Sequence, residues 1–276
     1  MREIRDDFPA DLAGCVVVPT MGALHHGHTV LIRRAVAVAK ARGTGAVVTI
    51  FVNPTQFNDP KDLDVYPRTF EADARMCREF GVAAVYAPTV GAVYPPGVEV
   101  PVGPIPAIAS EPGLEDWFRP GHLEGVAQVV RRLFVMTSPS AAVFGEKDWQ
   151  QYRLVADMSA NEGLGIEILG EPTAREPDGL ASSSRNVHLK GEAREQSVAI
   201  SRGLRAAGVE RTADGAEGTL REVLREAGIE YEYATVRDSR TLLPPTAGTT
   251  ACRALVAAPV GGTRLIDNAP WPWDGE

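Results

Sequence analysis

The chain predicts an α/β fold, a parallel sheet with helices on both faces followed by a small C-terminal α+β domain, on three observations. Short apolar, β-branched runs alternate with helical stripes through the first two-thirds of its 276 residues, the succession that builds a parallel sheet covered on both sides. The polar and glycine-containing segments that stand out follow the strands, and the carboxyl ends of such strands are where ligands bind. From about Ala174 the alternation gives way to one strong helical stripe and three short strands.

In chain order, residues 15–18 (CVVV) read as a buried strand, and 30–41 as a helix with Leu31, Ala35, Val38 and Ala39 on one face. Gly43 and Gly45 break that helix before a second buried strand at 46–52. A helix over 70–80 ends at Gly81, and a third strand follows at 82–87. Residues 88–120, rich in Pro and Gly, read as a loop region. A helix over 126–137, a strand over 141–144, a helix over 149–162 and a strand over 165–169 complete the alternation. In the last third Leu220, Val223, Leu224 and Ala227 make an apolar helix stripe, with Asp214 as its cap and Gly228 as its stop. Strands are expected at 230–236, 253–258 and 264–266, giving domains 1–173 and 174–276.

The formal charge of −8 and the lack of a Lys/Arg block argue against a nucleic-acid surface. Any anionic ligand must therefore be held by a local cluster of donors. Cys15, Cys77 and Cys252 are odd in number and far apart, which fits a reducing compartment better than a disulfide framework. The start of the chain has no apolar core of a signal peptide, and no run approaches membrane-spanning length. A cytoplasmic enzyme without a membrane partner is expected.

Four segments carry chemistry. Residues 19–28 (PTMGALHHGH) link the first strand to the first helix, a junction that aims backbone N–H groups at a ligand. His25 and His28, three apart, share a side if the helix has begun. They serve as phosphate donors, as helix caps or as metal ligands, although no cysteine or acid accompanies them; His26 is expected to face elsewhere. Residues 51–57 (FVNPTQF) hold Asn53 and Gln56, either an Asn-Pro turn or a pair of amides for a ligand with hydroxyl and carboxylate groups. Residues 144–151 (FGEKDWQQ) place Lys147 as a point charge after a strand, either for a phosphate or in a charged surface turn. Residues 179–186 (GLASSSRN) offer three hydroxyls and Arg185, a mobile polar clamp for a triphosphate or an ordinary linker or cap. In residues 114–122, Glu115 lies four before Arg119, a possible salt bridge within a loop.

Taken together, PTMGALHHGH, FVNPTQF, DVYPRT (residues 64–69), FRPGHLEGV (118–126), FGEKDWQQ and GLASSSRN resemble the pantothenate synthetase (pantoate–β-alanine ligase) family of the HxGH nucleotidyltransferase superfamily. The likeness runs from about Val16 to Leu189. It implies a Rossmann-like domain over 1–173 that binds nucleotide and pantoate, a small domain over 174–276 that closes over ATP, and a homodimer. By resemblance, Met21, Gly22, Ala23, Leu24, His25, His26, Gly27 and His28 line the nucleotide site, with His25 and His28 on the transferring phosphate. Gly145, Glu146, Lys147 and Asp148 contact the nucleotide, Lys147 at phosphate and Asp148 at ribose. Ala174 matches an adenine contact, and Ser182, Ser183, Ser184 and Arg185 match a flexible phosphate-binding strand. Gln56 and Gln151 match the pair that holds pantoate, Val129, Val130 and Phe144 its methyl contacts, and Asn53, Tyr66, Glu115 and Arg119 lesser positions. The catalytic set implied is His28, His25, Lys147 and Arg185.

The implied substrates are ATP, pantoate and β-alanine, with Mg2+ held mainly by phosphate oxygens and no protein metal cage. His26, Thr55, Asp116 and Ser182 stand where the family usually has Glu, Met, Gly and Met, and Trp117 and Phe118 are bulkier than usual. A same-family amide ligase for a related acid or amine is the alternative, and a nucleotidyltransferase that transfers AMP permanently is the second.

Overall fold

The computed structural model describes residues 1–5, 7–57 and 60–273. Its first sheet has six strands, β1 (Arg2–Ile4), β2 (Val16–Thr20), β3 (Ala46–Ile50), β4 (Ala84–Tyr86), β5 (Ala141–Gly145) and β6 (Glu167–Glu171), in the order β1-β4-β3-β2-β5-β6. Every neighbouring pair is parallel. The helices are α1 (His26–Arg42), α2 (Pro60–Val65), α3 (Phe70–Glu79), α4 (Val90–Val93), α5 (Glu115–Phe118), α6 (His122–Thr137) and α7 (Trp149–Asn161). Ile32, Ala35 and Ala39 of α1 and Cys77 of α3 pack with Val16, Val18, Val48, Val85 and Val143 on one face, while α6 also packs on β2. The expected α/β sheet is the one observed.

Strand order reverses between β2 and β5, the switch point at which open parallel sheets bind ligands. Pro19 explains why the sheet parts there. The Val16 amide donates to Gly45 and the Thr20 carbonyl accepts from Phe51, so the even residues of β2 face β3. Pro19, an odd residue, faces β5 with no N–H to give. The ladder between β2 and β3 accordingly runs through Thr20, whereas that between β2 and β5 stops at Val17.

The C-terminal region forms α8 (Glu192–Gly208), α9 (Ala213–Glu226) and an antiparallel sheet of β7 (Tyr233–Asp238), β8 (Cys252–Val260) and β9 (Thr263–Trp271). Ile200, Leu204, Leu220 and Leu224 pack with Val236, Val256 and Leu265 in its core. The chain packs as two compact units, one of Met1–Ser110, Glu115–Glu146 and Gln151–Pro172, the other of Glu111–Leu114, Lys147–Gln150 and Thr173–Glu276. Among the described residues no helix is long and apolar enough to cross a membrane. The three cysteines are free, and burial pushes the thiols of Cys15 and Cys77 up to about 12.

Several local expectations are corrected. Helix α1 begins at His26, not Val30, because His25 caps it. The Thr212 side chain, which accepts from the Gly215 amide, caps α9, and Asp214 lies in its first turn. Residues 88–120 hold α4, a 3-10 turn at Ala107–Ala109 and α5, tied down by Gln128 and Arg131 of α6, which donate to the carbonyls of Val100, Val102 and Pro104. Strand β1 was not expected, being three residues on a sheet edge. Helix α8 was missed because its buried face mixes Ser197, Ser201 and Gly203 with Ile200 and Leu204.

Candidate active site

After β2 the backbone enters the left-handed region twice, at Gly22 (φ 82°) and Ala23 (φ 50°). Glycine suits the first position, and a Cβ there would also lie 3.0 Å from Ile50 and 3.1 Å from the Asp73 carboxylate. The turn is held by Asp73 on α3, whose oxygens accept from the amides of Ala23 (3.0 Å) and Leu24 (2.8 Å) and from the Thr69 hydroxyl (3.2 Å). Asp73 is 2% exposed. The sequence reading passed over it, although an acid beside the apolar pair Ala74 and Cys77 on one helix was the available signal. Asp73→Asn turns one acceptor into a donor facing an amide that can only donate. Losing a charge-assisted bond should destabilise the fold by about 2 kcal/mol, read as a lower urea midpoint at unchanged slope.

The histidines then close the helix start. The Nδ1 atom of His25 accepts from the Gly27 amide at 3.1 Å, and Nδ1 of His28 accepts from the His25 amide at 3.2 Å. This is the reciprocal pattern of a capping box built from two imidazoles. Backbone amides can only donate, so both Nδ1 atoms are lone-pair acceptors and the ring proton of each neutral imidazole sits on Nε2. The rings lie 4.2 Å apart at 61°, half-buried, while His26 is exposed. The two caps hold both imidazoles side by side at the positive end of a 17-residue helix.

The second cluster is the 3-10 turn Pro54–Gln56 after β3. Asn53 is buried, and its Nδ2 lies 3.0 Å from Gln56 Oε1, 3.1 Å from the Gly125 carbonyl and 2.9 Å from Thr55 Oγ1. The Tyr94 hydroxyl donates to Asn53 Oδ1 at 2.8 Å, and burial pushes that phenol above its ordinary range. Arg132 of α6 donates to the carbonyls of Val93 and Ala92 and so fixes the end of α4 next to Tyr94. His122 Nδ1 lies 3.1 Å from the Gln56 carbonyl. At Gly125 a Cβ would stand 2.4 Å from the Thr55 carbonyl oxygen, so α6 meets the turn backbone to backbone. Asn53 thus builds the turn, and the same amide holds the side-chain oxygen of Gln56. Tyr94, His122, Gly125 and Arg132 carried no assigned role in the sequence reading, since their task shows only once α4 and α6 meet the turn.

Val129, Val130 and Phe144 are buried, and Tyr66 packs edge-on to Phe57 at 5.7 Å. Glu115 is buried and accepts from Arg119 at 3.5 Å; both belong to a helical (i, i+4) pair on and just past α5, not to a loop. Gln151 is half-buried in the first turn of α7.

In the second unit, Lys147 sits on the 3-10 turn Glu146–Asp148 that follows β5, with its ammonium 3.9 Å from the Asp148 carboxylate. A small cavity there is lined by Lys147, Ser183, Arg185, Asn186, Arg264 and Asp267. The segment likened to a phosphate-binding strand folds as a capped turn. Ser183 accepts from the Arg185 amide and caps the 3-10 helix Ser184–His188, and the Ser182 amide bonds to Ala174 across a hairpin. Asn186 ties the turn down, donating to Glu176 at 2.6 Å and to the Ala181 carbonyl. Ser182 is buried, and its hydroxyl has no hydrogen-bond partner among the described residues.

In the first unit two imidazoles at a helix start and a buried amide turn after the neighbouring strand, and in the second a lysine–arginine–serine cavity, are residue types suited to a polyphosphate and a small polar acid. Comparison with known proteins agrees. The family described as pantoate-beta-alanine ligase matches residues 1–270. A pantothenate synthetase of a Nocardioides species is 48% identical over 92% of this chain and 78% of its own length. One from Thioalkalivibrio sulfidiphilus is 46% identical over 92% and 89%. The crystal structure of pantothenate synthetase from Thermus thermophilus superposes with a TM-score of 0.89 at 37% identity, covering 98% of this chain and 99% of that one. The pantoate-beta-alanine ligase from Francisella tularensis, solved with a βγ ATP and β-alanine, gives 0.78 at 30% identity over 98% of each chain. With the match running through sheet, C-terminal unit and every motif loop, this chain belongs to the pantoate-beta-alanine ligase family.

Proposed function

We propose that this chain condenses (R)-pantoate with β-alanine, using ATP, and releases AMP and pyrophosphate. The observation that carries this reading is the double-imidazole cap, which seats the rings of His25 and His28 4.2 Å apart at the switch-point end of β2. A carboxylate is a poor acyl donor, so an oxygen of pantoate attacks the α-phosphorus of ATP. A P–O bond forms to the acid, the bond to pyrophosphate breaks, and pantoyl adenylate results. Charge developing on the phosphoryl oxygens is met by His25, His28, Lys147 and Arg185. The free amine of β-alanine then attacks the adenylate carbonyl, the acyl–oxygen bond breaks and AMP departs with the carboxylate oxygen. That second step rests on positioning.

Gln56 and Gln151 hold pantoate in this reading, with Val129, Val130 and Phe144 against its methyl groups and Asn53, Tyr66, Glu115 and Arg119 around it. Met21 to His28, Gly145 to Asp148, Ala174 and Ser182 to Arg185 contact the nucleotide, the orphaned Ser182 hydroxyl supplying a polar group for it. Residues 1–173 form the binding domain and 174–276 the domain that closes over ATP. Among the described residues no three His, Cys, Asp or Glu side chains gather as a metal-binding group. Mg2+ would come on the phosphate oxygens of ATP and neutralise the pyrophosphate it leaves with. We carry over a homodimeric, cytoplasmic enzyme from the family resemblance.

A related acid or amine is the second reading. It is favoured by Thr55, whose hydroxyl hydrogen-bonds Asn53 within the turn that aims Gln56. Pyrophosphate exchange into ATP with a panel of hydroxy acids, followed by AMP release with candidate amines, tests both. Exchange with pantoate and AMP release with β-alanine support the first. Exchange with another acid alone replaces it while keeping the adenylation step.

A further inference from the structure

Near the C-terminus, β9 buries two consecutive polar residues, Asp267 and Asn268, in an otherwise apolar stretch. Desolvating an amide side chain is costly unless it is fully hydrogen-bonded, so its partners indicate what it does. Asn268, 3% exposed, donates through Nδ2 to the Lys147 carbonyl at 2.8 Å. Its Oδ1 accepts from Nε of Arg253 on β8, itself 6% exposed. The Arg253 guanidinium lies over the Trp149 ring at 3.7 Å, and the Trp149 indole N–H donates to the Ser239 carbonyl at 2.9 Å. Beneath, Asp267 accepts from the Asn268 amide at 2.8 Å and takes Arg175 in a two-bond fork at 2.7 and 3.1 Å.

We propose that Asn268, backed by Arg253, is a positioning residue for adenylation: it fixes the backbone of the Lys147–Trp149 turn so that the Lys147 ammonium meets the phosphates. Residues Lys147–Gln150 pack with the C-terminal unit although they directly follow a strand of the first. The turn takes its conformation from β8 and β9 for that reason. Lysine has a flexible four-carbon stem, so a preorganised ammonium needs a fixed backbone to project from. Neither Asn268 nor Arg253 touches the reacting atoms in this account. Both act through Lys147, and the proposal rests on the phosphate role of that lysine.

The test is a double-mutant cycle on the full-length protein, with pantoate-dependent pyrophosphate exchange and thermal melting as the two readouts. Asn268→Ala should lower the exchange rate constant about 10- to 100-fold, as displacement of a catalytic group by an ångström does, with the KM for pantoate unchanged. In a Lys147→Ala background the same change should lower exchange less than twofold further, while its effect on melting persists. Asn268→Asp keeps the acceptor for Arg253 but sets a buried carboxylate oxygen against the Lys147 carbonyl, so it should melt below the parent and also be slow. In the Lys147→Ala background its effect on exchange should likewise shrink below twofold while its effect on melting persists. Independent, multiplicative losses in the cycle would overturn the positioning role and leave the role of Lys147 intact. Near-normal exchange by Lys147→Ala alone would instead remove the reading on which the proposal rests.

Discussion

His28→Ala is expected to lower pantoate-dependent pyrophosphate exchange by about 10²–10³, the usual loss when one preorganised donor to a developing oxyanion is removed. The substitution has a second consequence, because His28 Nδ1 also accepts from the His25 amide. Losing that half of the capping box should destabilise the protein by about 1 kcal/mol. His28→Gln separates the two effects. Glutamine at the third helical position reaches back to the cap amide and restores stability, yet it cannot hold an N–H where the imidazole Nε2 sits. It should therefore melt like the parent and remain as slow as the alanine variant. A glutamine variant with full activity would make His28 a cap and nothing more.

Gly125→Ala should be nearly as damaging, although Gly125 need touch no substrate. The added methyl would lie 2.4 Å from the Thr55 carbonyl oxygen and 2.8 Å from its carbon. Both are backbone atoms, so helix α6 and the Pro54–Gln56 turn must separate. The bond from Asn53 Nδ2 to the Gly125 carbonyl would be lost with that movement. Gln56 would then miss the acid by about an ångström, a displacement that costs about 10²-fold in rate, seen mainly as a higher KM for pantoate. Thr55→Ala should not rescue it, since the Thr55 hydroxyl, at 3.1 Å, is the lesser contact. Rescue by that trimming would show that the side chain and not the backbone sets the approach.

The residues proposed to face a ligand are legible in the sequence because their chemistry is unusual for their place. Imidazoles at a helix start, amides after a buried strand and a lysine after Gly145 each stand out locally. The residues that hold them were not legible, because their signals come from elements distant in sequence. Asp73 acts 49 and 50 residues away from the amides it binds, Tyr94 acts 41 away on Asn53, and Asn268 acts 121 away on Lys147. Pro19 shows the same limit in the fold. It marked the end of a strand in the sequence, whereas within β2 it marks the side on which the sheet opens. Helix α8 was lost to its small and polar buried face. The serine–arginine segment reads locally as an ordinary linker or cap before it reads as a clamp, and the Ser183 hydroxyl does accept from the Arg185 amide.

The central claim is that the acid's own oxygen attacks the α-phosphorus, and oxygen tracing tests it most directly. Pantoate carrying ¹⁸O in its carboxylate is incubated with ATP, β-alanine and the enzyme, and the products are weighed by mass spectrometry. The account predicts one labelled oxygen in AMP and none in pyrophosphate. Unlabelled AMP, with the label in pyrophosphate or inorganic phosphate, would contradict it.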